Sequence, residues 1–130
     1  MPPLFHIDHH TGVPAYRQLM DQVRLQATTG VLAAGTEMPS TRAMAAELNL
    51  NPMTVSKAYG LLERDGVLER RRGQTLTVRA QEGGTQTAEQ RLAPLKEQLA
   101  AVALLARQLE VPQTQVVDLL RQALKNNDNT

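Results

Sequence analysis

The 130-residue chain has no cysteine and no tryptophan. Without cysteine there can be no disulfide, thiolate metal site or cysteine nucleophile, which suits a reducing compartment. Aromatic residues are scarce as well: Phe5, Tyr16 and Tyr59 are the whole set. A core must therefore be assembled from Leu, Val, Ala and Met. The longest unbroken apolar run, Leu99 to Ala106, has eight residues, against the ~20 needed to cross a bilayer. Met1-Pro2-Pro3 opens neither a basic nor an apolar leader segment. Catalytic signatures are missing too: there is no Gly-rich phosphate loop, no G-x-S-x-G turn and no carboxylate pair with a plausible pocket. These absences predict a soluble cytoplasmic protein that is not an enzyme, carries no cofactor and has no membrane partner.

What is present is enough to fold. The hydrophobic fraction is 42% and the charged fraction 21%, in the normal range for a globular chain. Net charge is only +1, but it is uneven. Residues 1–80 carry nine Lys/Arg against seven Asp/Glu, and residues 81–130 five against six. Arg70, Arg71 and Arg72 stand together, with Arg79 close behind. A polyanionic partner is thus a local proposition, not one forced by overall charge.

Residues 1–13 read as an irregular arm, with a short strand around Phe5 and Ile7, whose spacing of two puts both on one face. From Pro14 to about Thr28, Tyr16, Leu19, Met20, Val23 and Ala27 fall at helical spacing, with Gly30 placed to close the helix. Val31 to Pro39 reads as a loop. Ser40 or Thr41 caps a short helix ending near Leu48, with Met44, Ala45 and Leu48 inward. After the tight Asn49-Leu50-Asn51 connection, Asn51-Pro52 is a strong helix start. That next helix buries Val55, Ala58, Tyr59 and Leu62 and ends at Gly66. Its other face, Met53, Thr54, Ser56, Lys57 and Gly60, is mostly small and polar. A methionine at this spacing is also compatible with plain packing.

Beyond Gly66 the period becomes two. Val67–Arg71 and Thr75–Arg79 are candidate strands, with a tight turn at Gly73-Gln74. Residues 81–87 form a polar linker. In the tail, Leu92, Leu95, Leu99, Val102, Ala106 and Leu109 make an a/d seam of about two and a half heptads. Pro94 implies a kink or a helix start near Ala93. Past the Val111-Pro112 break, Val116, Leu119, Leu120, Ala123 and Leu124 define a second amphipathic helix, and Asn126 to Thr130 are expected to fray.

This order predicts a mostly α chain with a small hairpin: a winged helix-turn-helix over 1–80, a linker over 81–87 and a two-helix dimerisation tail over 88–130. A second helix exposing small polar residues can enter the major groove, while a cationic wing lies against the backbone or minor groove. Winged helices also serve as protein-interaction modules without specific DNA binding. Steep loss of affinity with salt separates the two readings. His6, Asp8, His9 and His10 could in principle hold a metal. Without a fixed spacing they read instead as a flexible surface arm, and no metal site is assigned.

Pro14-Ala15-Tyr16-Arg17-Gln18-Leu19, Gly30 to Gly35 and Met38-Pro39-Ser40-Thr41-Arg42 resemble the opening signature of the GntR family of bacterial transcription regulators. Asn51 to Tyr59, followed by Leu62-Glu63-Arg64-Asp65-Gly66, resembles the recognition-helix region of its YtrA-type branch. The resemblance covers residues 13–80, and the short tail fits that branch too. It implies a homodimeric repressor that binds an inverted-repeat operator, with transporter genes as targets and the effector unspecified. Carried over residue by residue, it implies DNA contacts from Thr41, Arg42, Asn51, Pro52, Met53, Thr54, Ser56, Lys57, Arg72 and Gly73. The apolar seams of the tail predict dimer contacts from Leu92, Leu95, Leu99, Val102, Leu109, Val116, Leu120 and Leu124. In the wing, Thr75 and Thr77 stand where the family usually has a second glycine and an aromatic.

Overall fold

The computed structural model describes residues 5–70, 75–81 and 88–128. They fall into two compact units, divided between residues 87 and 88.

In the first unit α1 spans Ala15–Thr29, α2 Thr41–Leu48 and α3 Pro52–Arg64, followed by strands β1, Leu68–Arg70, and β2, Leu76–Val78. Each boundary has a local cause. Pro14 precedes α1, and Gly30 ends it in the left-handed conformation at φ 83°, a region that costs glycine nothing. Ser40 caps α2 by accepting from the Ala43 N–H at 3.1 Å. Asn49 closes α2 at φ 56°. Asn51 then caps α3 by accepting from the Met53 N–H at 2.9 Å, with Pro52 in the first turn. Gly66, at φ 78°, turns the chain from α3 into β1.

Both α1 and α2 pack on α3. Leu19 and Val23 of α1, Met44 of α2, and Val55, Ala58 and Leu62 of α3 are all but fully buried. Leu68, Leu76 and Val78 close the core from the hairpin. The strands pair antiparallel, with Leu68 opposite Val78 and Arg70 opposite Leu76. The three aromatics join this core as well: Tyr59 is buried, and Phe5 and Tyr16 pack at its margin.

Two expectations need correction. Residues 31–39 are not merely a loop, because Glu37 forms a bridge with Thr77. The Gly35 N–H donates to the Val78 carbonyl at 2.7 Å, the Met38 N–H to the Leu76 carbonyl at 2.8 Å, and the Thr36 carbonyl accepts from the Val78 N–H at 2.9 Å. Strand β2 is thereby paired along both edges. Second, no strand forms around Phe5 and Ile7, and the described part of the arm is not loose. The Gln22 side-chain amide takes the place of a strand neighbour, accepting from the His6 N–H at 2.8 Å and donating to its carbonyl at 2.6 Å. Gln18 does the same for Asp8, with both bonds at 2.8 Å, and also donates to the Val13 carbonyl. Ile7 is held inward and buried, as the spacing of two required of one face.

The second unit consists of α4, Ala88–Gln108, and α5, Gln113–Asp128. Helix α4 starts ahead of Ala93 and carries Pro94 inside it. Proline there costs a single N–H donor early in a long helix whose apolar pattern continues on both sides. Helix α5 runs through Asp128, so the expected fraying from Asn126 is not seen among the described residues. No described residue of α4 is buried. No helix is long and apolar enough to cross a membrane among the described residues.

Candidate nucleic-acid interface

Most of the expected DNA-contacting residues lie on α3 and in the first turn of α2. On α3, Met53, Ser56, Lys57 and Gly60 are exposed, at spacings that put them on a single helical face. The opposite face supplies Val55, Ala58, Tyr59 and Leu62 to the core. Burial on one side thus fixes which side is presented. Thr54 lies half-buried at the flank, and Asn51 and Pro52 are exposed at the leading end. The Asn51 side chain is committed to its cap, so its helix-starting role is filled within the protein.

Thr41 and Arg42 form the first turn of α2, Thr41 half-buried and Arg42 exposed. The Arg42 side chain makes no hydrogen bond or ion pair with any described residue. That removes the simpler explanation in which it serves an acidic neighbour. Its five-donor fork is available for an external acceptor. Lys57 is restrained differently. Its ammonium stands 4.0 Å from the centroid of the Tyr16 ring of α1, a cation–π contact that directs the charge without neutralising it.

The scaffold behind the ridge is tied by polar contacts. Tyr59 donates its hydroxyl to the Pro39 carbonyl at 2.9 Å, fixing the entry to α2 against α3. Burial, reinforced by the Glu47 carboxylate, raises the phenol's ionisation above its ordinary range. Tyr59 is therefore a neutral donor. Arg24 of α1 bonds Asp65 at 2.7 Å, and Arg64 bonds the other oxygen of the same carboxylate at 3.2 Å. The middle and the C-terminal end of α3 are thus held.

On the wing side, Arg70 is exposed at the end of β1, while Arg71, Arg72 and Gly73 lie outside the described residues. Thr75, in the place of the usual second glycine, donates its hydroxyl to a Glu37 carboxylate oxygen at 2.5 Å. Thr77, in the place of the aromatic, sits opposite Glu69 and forms the bridge with Glu37. These two threonines attach the hairpin to Glu37. Tyr16, Glu37 and Thr75 were not singled out as functional from sequence, because their partners are 41 or 38 positions away.

The described residues contain no group of three or more His, Asp or Glu placed to hold a metal. His6, His9 and His10 are exposed along the arm.

In the tail unit, the residues expected to make dimer contacts fall into two groups. Leu99, Val102, Leu109, Val116 and Leu120 line an apolar groove of about 310 Å³ between α4 and α5. Leu105 and Leu119, absent from the expected dimer contacts, line it too. Leu92, Leu95 and Leu124 are exposed outside this groove.

Comparison with known proteins matches this arrangement. A family model, bacterial regulatory proteins of the gntR family, matches residues 15–78. The HTH-type transcriptional repressor YtrA of Bacillus subtilis is 34% identical over 96 residues, spanning 74% of this chain and 73% of that protein. The HTH-type transcriptional regulator Rv1152 of Mycobacterium tuberculosis is 35% identical over 65 residues, with 50% of this chain and 54% of that protein covered. Among solved structures, YtrA from Sulfolobus acidocaldarius, a GntR-family transcription factor, superposes with a TM-score of 0.56 at 27% identity, covering 75% of this chain and 97% of that one. A transcriptional antiterminator from Listeria monocytogenes EGD-e gives 0.57 at 27% identity, over 95% and 92% of the two chains.

Proposed function

The chain belongs to the gntR family of bacterial regulatory proteins, as a transcription regulator with a winged helix-turn-helix, and we propose that it is a cytoplasmic homodimeric repressor that reads an inverted-repeat operator. The observation that carries this reading is the exposed ridge of α3 together with an unpaired Arg42 at the start of α2. The core and capping contacts hold both helices in place beneath it. Helix α3 enters the major groove of double-stranded DNA. Arg42 forks onto a guanine edge, the commonest specific contact in such complexes. Ser56 and Thr54 donate to base or phosphate, and Lys57 lies along the backbone. Thr41 adds a polar contact beside Arg42, and Arg72 and Gly73 are the wing contacts that the likeness to the family implies.

Dimerisation is supported by the tail. Its apolar side chains remain 41% exposed at Leu99 and 64% at Leu109 in the single chain, which two helices cannot cover by themselves. A second copy laid against the groove would bury them and relate two α3 helices by a two-fold axis. Transporter genes are the targets that likeness to the YtrA-type branch implies. The groove is open, so an effector would bind where subunits meet and not within one tail.

Binding to an operator-containing duplex, measured by fluorescence anisotropy between 50 and 200 mM salt, tests the DNA reading. Affinity is expected to fall by about 10³-fold or more if some six phosphates are contacted. A response that is flat in salt would point instead to a protein-interaction module.

A further inference from the structure

Met53 is the feature of the ridge that packing does not explain. At 79% exposure it is the most exposed large apolar side chain among the described residues, and on α3 it is the only one of that kind. It stands one residue after Pro52, and its own N–H is fixed by the Asn51 cap. Its backbone is therefore pinned while its thioether reaches outward. Ser56, Lys57 and Gly60 share its face. A Cβ built on Gly60 meets nothing within 4 Å, so this face is open at Gly60 among the described residues.

On the major-groove edge of DNA, the pyrimidine C5-methyl group is the one apolar feature, and thymine alone carries it in unmodified DNA. Opposite a cytosine amine or an adenine edge, a thioether would strip water from polar groups without replacing their hydrogen bonds. Opposite a methyl it buries apolar area on both partners. Methionine, unbranched and polarisable, adapts to such a contact without exact alignment. We propose that Met53 reads the C5-methyl of one thymine in each operator half-site. This rests on the reading of α3 as the recognition helix. It adds a base identity that neither Arg42 nor Lys57 can supply.

The experiment uses the full chain and its selected operator. Each thymine of the half-sites is replaced in turn by deoxyuridine, which removes the methyl and keeps the base pair. Dissociation constants are measured for the wild type, Met53→Ala and Met53→Leu. For the wild type, one thymine position per half-site is expected to lose about fourfold in affinity when its methyl is removed. Met53→Ala is expected to bind thymine and uracil alike at that position, with an unchanged melting temperature, and Met53→Leu to keep part of the preference. Specific binding that is indifferent to every methyl overturns the assignment and leaves the α3 reading intact. So does a methyl preference that survives in Met53→Ala. Failure to select any specific duplex overturns both.

Discussion

Arg42 and Lys57 carry the same charge, but their surroundings suit them to different proposed contacts. Arg42 has no partner among the described residues at a helix start, and a guanidinium fork matches two acceptors on one base. Lys57 is a point charge leaning on the Tyr16 ring, suited to a phosphate. Arg42→Ala is therefore expected to cost about 1–3 kcal/mol of specific binding and to relax preference at one position per half-site. Lys57→Ala should weaken all sequences alike and flatten the dependence on salt. Titrations against the operator and a scrambled duplex at several salt concentrations check both. An Arg42→Ala protein with unchanged affinity and preference would show that the arginine does not read a base. Much of this ridge is legible in the sequence, because Asn51-Pro52 fixes where α3 begins and the helical period then fixes which residues face out. The cation–π contact is not legible, since it joins residues brought together only when α1 packs on α3. The period also puts Met53 on the outer face, where it is exposed, although its residue type alone would equally suit packing.

At the scale of elements, the fold's least expected feature is glutamine side chains standing in for a strand. The alternation of Phe5 and Ile7 correctly marks an inward face, and Ile7 is buried. It does not reveal that the hydrogen-bonding partner of the segment is a pair of amides one helical turn apart on α1. A primary amide presents a donor and an acceptor on one side, matching the N–H and C=O that a single extended residue turns to its strand neighbour. Gln18→Ala removes three bonds of 2.8 Å. It is expected to lower stability by about 1–3 kcal/mol, read from denaturant midpoints, with Gln18→Glu intermediate because only the acceptor survives. No change in Gln18→Ala would mean that the apolar contact of Ile7 alone holds the segment. The hairpin teaches a related lesson. Strands β1 and β2 follow from alternation, but the pairing of residues 35–38 with β2 has no periodic signal, since only Glu37 forms the bridge.

For the whole molecule, the two units differ in how well each can stand alone. The first has a shared core of buried side chains from three helices and the hairpin; the tail's α4 has none among its described residues. The seam was legible because leucines recur at three and four. Its incompleteness was legible as well, at about two and a half heptads. A chain ending at Ala80 is expected to fold, to sediment as a monomer and to bind one half-site weakly. A dimer of that shortened chain in analytical ultracentrifugation would place the dimer contacts outside the tail.

The joint claim of a two-fold dimer presenting two recognition helices meets its most direct test in selection of binding sequences by the full chain from random duplex DNA. The expected product is an inverted repeat whose half-site centres lie about one helical turn, or a multiple of it, apart. Each half should hold a guanine for Arg42 and a thymine for Met53. Enrichment of a single unrepeated site, or of no sequence at all, would contradict it.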